Sequence, residues 1–237
     1  MQELITERYR PKKLEDAFLA PDTRKELSRF IRHGLSEHLT FWGGTGTGKT
    51  SVAHILANNE SNVDIYYAKY GESDKQDAKI NEDIIKRCRS GKTVFGDQRF
   101  FILDELDNLT DRGLAKFNAL LEDYDKHARF ILILNDVTRI TDKIASRSLV
   151  LQFQHATYDR KKRDLVYYPE FPKAAFNKEI ETLLDRILDG EKVDDKDRAT
   201  IKKRSLSDKE SLIDLRKFIR GIGLHITDVQ DERLDQA

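Results

Sequence analysis

Cysteine is almost absent from this chain of 237 residues, where Cys88 stands alone. A single thiol forms no internal disulfide and supplies no multi-cysteine zinc site, which fits a reducing cytoplasm. The length suffices for one large domain, or a large and a small one, without covalent staples. An excess of charge of one sign is missing too. Lysine and arginine together number 42 and aspartate and glutamate 42, so no global field draws the chain to nucleic acid and any such contact is local. Long apolar runs are lacking as well. Segments such as Phe130 to Leu134 are far too short to span a bilayer, and the opening MQELITERYRPKK carries charge where a signal peptide needs an apolar stretch. The expectation is a soluble, cytoplasmic protein with no membrane partner.

What is present is alternation. Up to about residue 154, short β-branched and aromatic runs alternate with helical spacing, the pattern of βαβ units and a parallel sheet. Five strands are predicted, at Leu39 to Gly43, Asp64 to Ala68, Phe100 to Asp104, Phe130 to Asn135 and Leu149 to Phe153. Helices are predicted at Lys49 to Asn58, Ala78 to Arg89 and Gly113 to Tyr124, with Thr110 as a cap for the last. From His155 to Lys173 the chain is polar, contains DRKKRD and YYPEFP, and reads as a connector or irregular insertion. Helical spacing alone follows, in Phe176 to Leu188, Asp195 to Lys203 and Ser211 to Gly221. This divides the chain into an α/β core over 1–155, a small helical domain over 156–225 and a polar tail over 226–237.

Two motifs sit at strand ends, where ligands of open α/β sheets bind. Gly43-Gly44-Thr45-Gly46-Thr47-Gly48-Lys49-Thr50 satisfies G-x-x-x-x-G-K-[ST] between a strand and a helix, with Ser51 following. Such a loop wraps backbone N–H groups around phosphates at a helix N-terminus; Lys49 reaches the β- and γ-phosphates and Thr50 ligates Mg²⁺. The second motif is the apolar strand Phe100 to Leu103 ending in Asp104 and Glu105. Adjacent carboxylates at a strand end call for a cation or solvent. Asp104 is the candidate Mg²⁺ ligand, direct or through water, and Glu105 the candidate base for the attacking water. Asn135, after the next strand, places an amide at the same edge. Together these residues indicate an ATP-hydrolysing enzyme that uses ATP and Mg²⁺.

The order GxxxxGKT, LDELD, LND and Ser146-Arg147-Ser148 resembles the AAA+ ATPases, and Arg8-Tyr9-Arg10-Pro11-Lys12-Lys13-Leu14-Glu15-Asp16 resembles the opening of the small ATPase subunits of sliding-clamp loaders. The resemblance implies a P-loop AAA+ domain with a five-stranded parallel sheet and a helical lid, phage-like in its divergence, with ATP between sheet and lid. It implies a subunit that joins other clamp-loader subunits, a sliding clamp and primer-template DNA during replication. Another DNA-associated AAA+ motor, such as a helicase loader or branch-migration ATPase, shares the core motifs. By the same resemblance, Asn135 is the sensor 1 residue and Arg216, in Asp214-Leu215-Arg216, is the sensor 2 arginine, with Arg220 the alternative. Arg147 is a finger acting on a neighbour's ATP, and Tyr9, Arg10 and Pro11 lie near the adenine. Ser148 and Ile213 depart from the family's Cys and Gly. No residues remain after Ala237 for the family's C-terminal collar, so the expectation is assembly through ATPase-domain contacts, or a shortened chain. Lys79 resembles a lysine that senses DNA and restrains the catalytic glutamate, with Lys75 the alternative. Other basic clusters, such as Lys86-Arg87 with Arg89 and Lys92, read first as solvated faces, and Arg87 is a further DNA candidate.

Overall fold

The computed structural model describes residues 3–60, 63–71, 73–90, 98–123 and 128–234. In chain order the elements are α1 (Ile5–Arg8), α2 (Pro21–His33), β1 (His38–Trp42), α3 (Lys49–Asn59), β2 (Val63–Lys69), α4 (Asp74–Arg89), β3 (Gln98–Asp104) and α5 (Asp111–Asp123). They continue with β4 (Ala128–Leu134), α6 (Asp142–Ala145), β5 (Ser148–Gln152), β6 (Ala156–Asp159), β7 (Asp164–Tyr167), α7 (Lys173–Gly190), α8 (Asp195–Ser207) and α9 (Leu215–Leu234). Contacts divide the chain into two compact units: Thr23–Gly43 with Lys49–Phe153, and Met1–Asp22 with Gly44–Gly48 and Gln154–Ala237. Among the described residues no helix is long and apolar enough to cross a membrane.

The first unit holds a parallel sheet of order β2-β3-β4-β1-β5. Its central strands are apolar on both faces because both are covered: Phe100 to Leu103 and Phe130 to Leu134 are buried throughout. Phe101 and Phe130 stack across neighbouring strands at 5.1 Å between ring centroids. On α4 the residues Ile80, Ile84 and Cys88, spaced four apart, form one buried face in the same cluster as Phe101 and Phe130. Burial holds the Cys88 thiol up at a pKa of about 11, so it behaves as a small apolar group. Thr110 caps α5, its hydroxyl accepting the Gly113 N–H at 3.1 Å. The parallel register sets Lys69 level with Asp104, and Trp42 level with Leu134. The residues that follow these strands therefore gather at one edge.

The second unit is built on α7 and α9. Phe176, Ile180, Leu183, Leu184, Ile187 and Leu188 recur at helical spacing on α7 and are buried together with Phe218, Ile219, Ile222, Ile226 and Val229 of α9. Three expectations change here. The stretch read as an irregular insertion contains an antiparallel hairpin, β6 with β7, in the register Ala156 to Tyr167. Asp159 closes its turn by accepting the N–H groups of Lys161 and Lys162 at 2.9 and 3.2 Å, so the basic run is a hairpin tip. Residues 226–234, set apart by sequence as a polar tail, continue α9, because Ile226 and Val229 extend the apolar face begun by Phe218. The N-terminal segment, assigned by sequence to the α/β core, groups with the helices: Phe18 meets Phe171 at 5.3 Å and Phe176 at 5.4 Å.

Candidate active site

The glycine-rich loop leaves β1 and enters α3, as the motif requires. Gly46 and Gly48 have φ of +75° and +92°, a left-handed conformation open to glycine at little cost. Lys49 opens α3 and is 5% exposed, and a buried ammonium needs partners. It donates to the Gly43 carbonyl at 2.6 Å and to Asn135 Oδ1 at 3.0 Å. Thr47 donates to the Gly44 carbonyl at 2.9 Å, closing the loop on itself. Thr45 is exposed and Ser51 lies in the first turn of α3.

One residue on, the Thr50 hydroxyl donates to Asp104 Oδ2 at 2.8 Å. A hydroxyl that donates its proton to a carboxylate keeps its lone pairs for a cation. Thr50 and Asp104 thus form a pair of hard oxygen donors suited to Mg²⁺, which takes few protein ligands beside phosphates and water. The Asp104 carboxylate is itself held, Oδ1 by the Glu105 N–H at 2.9 Å and Oδ2 by the Tyr67 hydroxyl at 3.2 Å.

Glu105 turns the chain at the strand end with φ +55° and ψ +40°, unusual for a residue with a side chain. Both carboxylate oxygens are engaged. Lys69 Nζ pairs with Oε1 at 2.9 Å, and Asn108 Nδ2 donates to Oε2 at 3.1 Å. Asn108 also reaches the Tyr70 carbonyl at 3.4 Å and packs on Gly71, where a Cβ would stand 2.4 Å from its own. The lysine at the glutamate is therefore Lys69, not Lys79 or Lys75, which are exposed on α4. Parallel register is the reason: it sets Lys69 beside Asp104, one residue before Glu105. Asn135 presents its side chain to Lys49 and its N–H to Asp107 Oδ1 at 3.3 Å. Gly43, Lys49, Thr50, Asp104, Glu105 and Asn135 thus share one sheet edge.

Residues 39–155 match the family model described as ATPase family associated with various cellular activities (AAA). Over these residues the chain is similar to an AAA domain. The replication factor C small subunit of Saccharolobus solfataricus is 32% identical over 192 residues, 77% of this chain and 56% of that protein. Replication factor C small subunit 1 of Pyrobaculum arsenaticum is 32% identical over 159 residues, 62% of this chain and 46% of that protein. The chain spans about half the length of these relatives. They lend no support to phage-like divergence. Among solved structures, Thermotoga maritima RuvB, titled a Holliday junction branch migration motor, superposes with a TM-score of 0.57 at 18% identity, covering 95% of this chain and 73% of that one. At that identity the likeness is one of fold.

Of the other expected residues, Arg147 and Arg87 belong to the sheet unit, and Tyr9, Arg10, Pro11, Arg216 and Arg220 to the helical unit. Arg147 donates to the Lys143 carbonyl at 3.1 Å and to Ser146 Oγ at 3.3 Å, and is ion-paired with Glu122 of α5. Arg216 is exposed in the first turn of α9, whose Leu215 N–H donates to the Gly46 carbonyl at 3.2 Å; Arg220 is exposed one turn further on. Asp214 caps this helix by accepting the Arg216 N–H at 3.0 Å. The Tyr9 hydroxyl donates to Glu191 Oε1 at 2.9 Å, and burial, then this hydrogen bond, push its pKa up to about 12. Arg10 pairs with Glu7 at 3.0 Å and Pro11 is half-buried. Arg87 is engaged within the sheet unit, 3.1 Å from Asp64 and 4.7 Å above the Tyr66 ring. Lys92 lies outside the described residues. Sequence reading missed Lys69, Asn108 and Tyr67, of which only Lys69 carried a signal, as a charge ending an apolar strand.

Proposed function

We propose that this chain is an ATPase subunit of a sliding-clamp loader, which binds ATP with Mg²⁺ to engage a clamp and hydrolyses it to release that clamp on primer-template DNA. The observation that carries this reading is the convergence of Lys49, Thr50, Asp104, Glu105 and Asn135 at one sheet edge, in a chain whose relatives bear the name replication factor C small subunit. Bound Mg²⁺ would supply positive charge against the charge that develops on the phosphate oxygens. Thr50 and Asp104 hold it, and Lys49 turns its ammonium from Gly43 and Asn135 to the phosphates. Glu105 releases one of its two partners and accepts the proton of the attacking water. Asn135 orients the γ-phosphate, Arg216 contacts nucleotide from a lid formed by α7 to α9, and Arg147 reaches a neighbouring subunit's ATP. Tyr9 to Pro11 line the adenine side. The protein acts in the cytoplasm within an oligomer.

The test is ATPase activity of the complete assembly with and without clamp and primed DNA. Stimulation by both together is expected. Turnover indifferent to clamp and primer would remove the clamp-loader role and leave a nucleotide-dependent machine of another kind.

A further inference from the structure

Thr50 and His54 lie four residues apart on α3, so they share a helix face. Tyr67 and Lys69 lie two apart on β2 and share a sheet face. The two faces meet at the carboxylates. Thr50 and Tyr67 both donate to Asp104 Oδ2, at 2.8 and 3.2 Å, while the Tyr67 ring lies against the His54 ring with centroids 5.3 Å apart and planes 37° from parallel. Tyr67 is 44% exposed, so burial of its ring does not account for its place. Its hydroxyl does. A carboxylate offers about four lone-pair directions. With two donors on Oδ2 and the Glu105 N–H on Oδ1, rotation of the group is opposed, and among the described residues one direction, on Oδ1, stays open.

We propose that Tyr67 is a positioning residue for Asp104, holding its carboxylate in the orientation that receives Mg²⁺ or a water bound to it, and that His54 holds the Tyr67 ring in place. This rests on the reading that Thr50 and Asp104 bind Mg²⁺ together with ATP. Lys69 and Tyr67, on one face of one strand, then set the two carboxylates separately: Lys69 sets the base and Tyr67 the metal ligand. Loss of the Tyr67 hydroxyl weakens Mg²⁺ without touching the contacts that the loop and Lys49 make to phosphate.

The test is Mg²⁺ titration of a fluorescent ATP analogue bound to the full chain. For Tyr67→Phe the Mg²⁺ midpoint is expected to rise about 3- to 10-fold, the worth of one hydrogen bond to a charged group at a partly exposed site. Affinity in EDTA should stay within about twofold of wild type, on the same reckoning that phosphate contacts are untouched. His54→Ala should move the midpoint in the same direction by less, and the double variant should add nothing to Tyr67→Phe, because His54 acts through that hydroxyl. An unchanged midpoint in Tyr67→Phe overturns the proposal. So does an equal loss of affinity with and without Mg²⁺, the mark of a merely structural role. If wild type binds the analogue no better with Mg²⁺ than in EDTA, the metal reading itself fails and takes the proposal with it.

Discussion

Glu105 carries the sharpest consequence of this geometry. Its carboxylate faces Lys69 on one oxygen and Asn108 on the other, so the group proposed to accept a proton from water is restrained on both oxygens. Glu105→Gln keeps both the size and the contact to Asn108, and removes the base. Nucleotide affinity is expected to hold while turnover falls by about 10²–10⁴; near-normal turnover, measured by phosphate release, would take Glu105 out of the reaction. Lys69 gives a second test. Removing it in Lys69→Ala frees one oxygen of Glu105, and the expected outcome is a basal rate raised about 2- to 5-fold with a smaller ratio of DNA-stimulated to basal activity, as expected for loss of an exposed pair worth up to about 1 kcal/mol. Lys79→Ala, on the exposed face of α4, should leave the basal rate unchanged. The reverse pattern would restore Lys79 to the role first expected of it.

At the scale of elements, the hairpin of β6 and β7, the full length of α9 and the docking of the first residues all depart from a local reading. Tyr9 ties that docking to α7 through Glu191 and the Ile187 carbonyl, at 2.9 and 3.3 Å. Its phenol is neutral when it donates, and its pKa rises from 10.0 to about 12 on folding. The stability it contributes is therefore complete below about pH 10, the unfolded value, and is lost as pH climbs toward 12. Tyr9→Phe should lower stability by about 1 kcal/mol at every pH from 6 to 9, the worth of one hydrogen bond. The gap to wild type should close above pH 10. Denaturant unfolding followed by circular dichroism at several pH values checks this, and a gap that varies between pH 6 and 9 would show that Tyr9 does not carry it.

At the scale of the whole molecule the question is what Arg147 does. In the isolated chain its guanidinium is paired with Glu122 and with carbonyl and hydroxyl oxygens of α6 and the residue after it. A finger acting across an interface contributes about 10³–10⁵ in rate. Arg147→Ala is therefore expected to abolish DNA-dependent ATPase activity of the assembly, as is Lys49→Ala. Mixing the two should recover part of it, since intact Lys49 then faces intact Arg147 at some interfaces. Normal turnover by Arg147→Ala alone in the DNA-bound assembly would rule out action in trans.

The phosphate loop, the carboxylate pair and Asn135 were legible in the chain because each is a local pattern: a short motif at the end of an apolar run, where the period of the surrounding residues already names the element. The central strands β3 and β4 followed from the same runs, since a strand buried on both faces is apolar throughout, and the edge strands β2 and β5 followed from β-branched and aromatic residues. The partners of Lys69 and Tyr67 were not legible, beyond the charge with which Lys69 ends its strand. Those partners lie far along the chain, and parallel pairing of β2 with β3, which no local pattern encodes, decides that Lys69 and Tyr67 stand beside Asp104 and Glu105. The continuation of α9 and the hairpin turn escaped for a related reason. Polar residues outnumber the apolar ones there, and Ile226, Val229, Ala156 and Leu165 become buried only once the helical cluster exists to cover them. Local pattern determined which groups could do the chemistry; long-range register and packing decided which of their neighbours hold them in place.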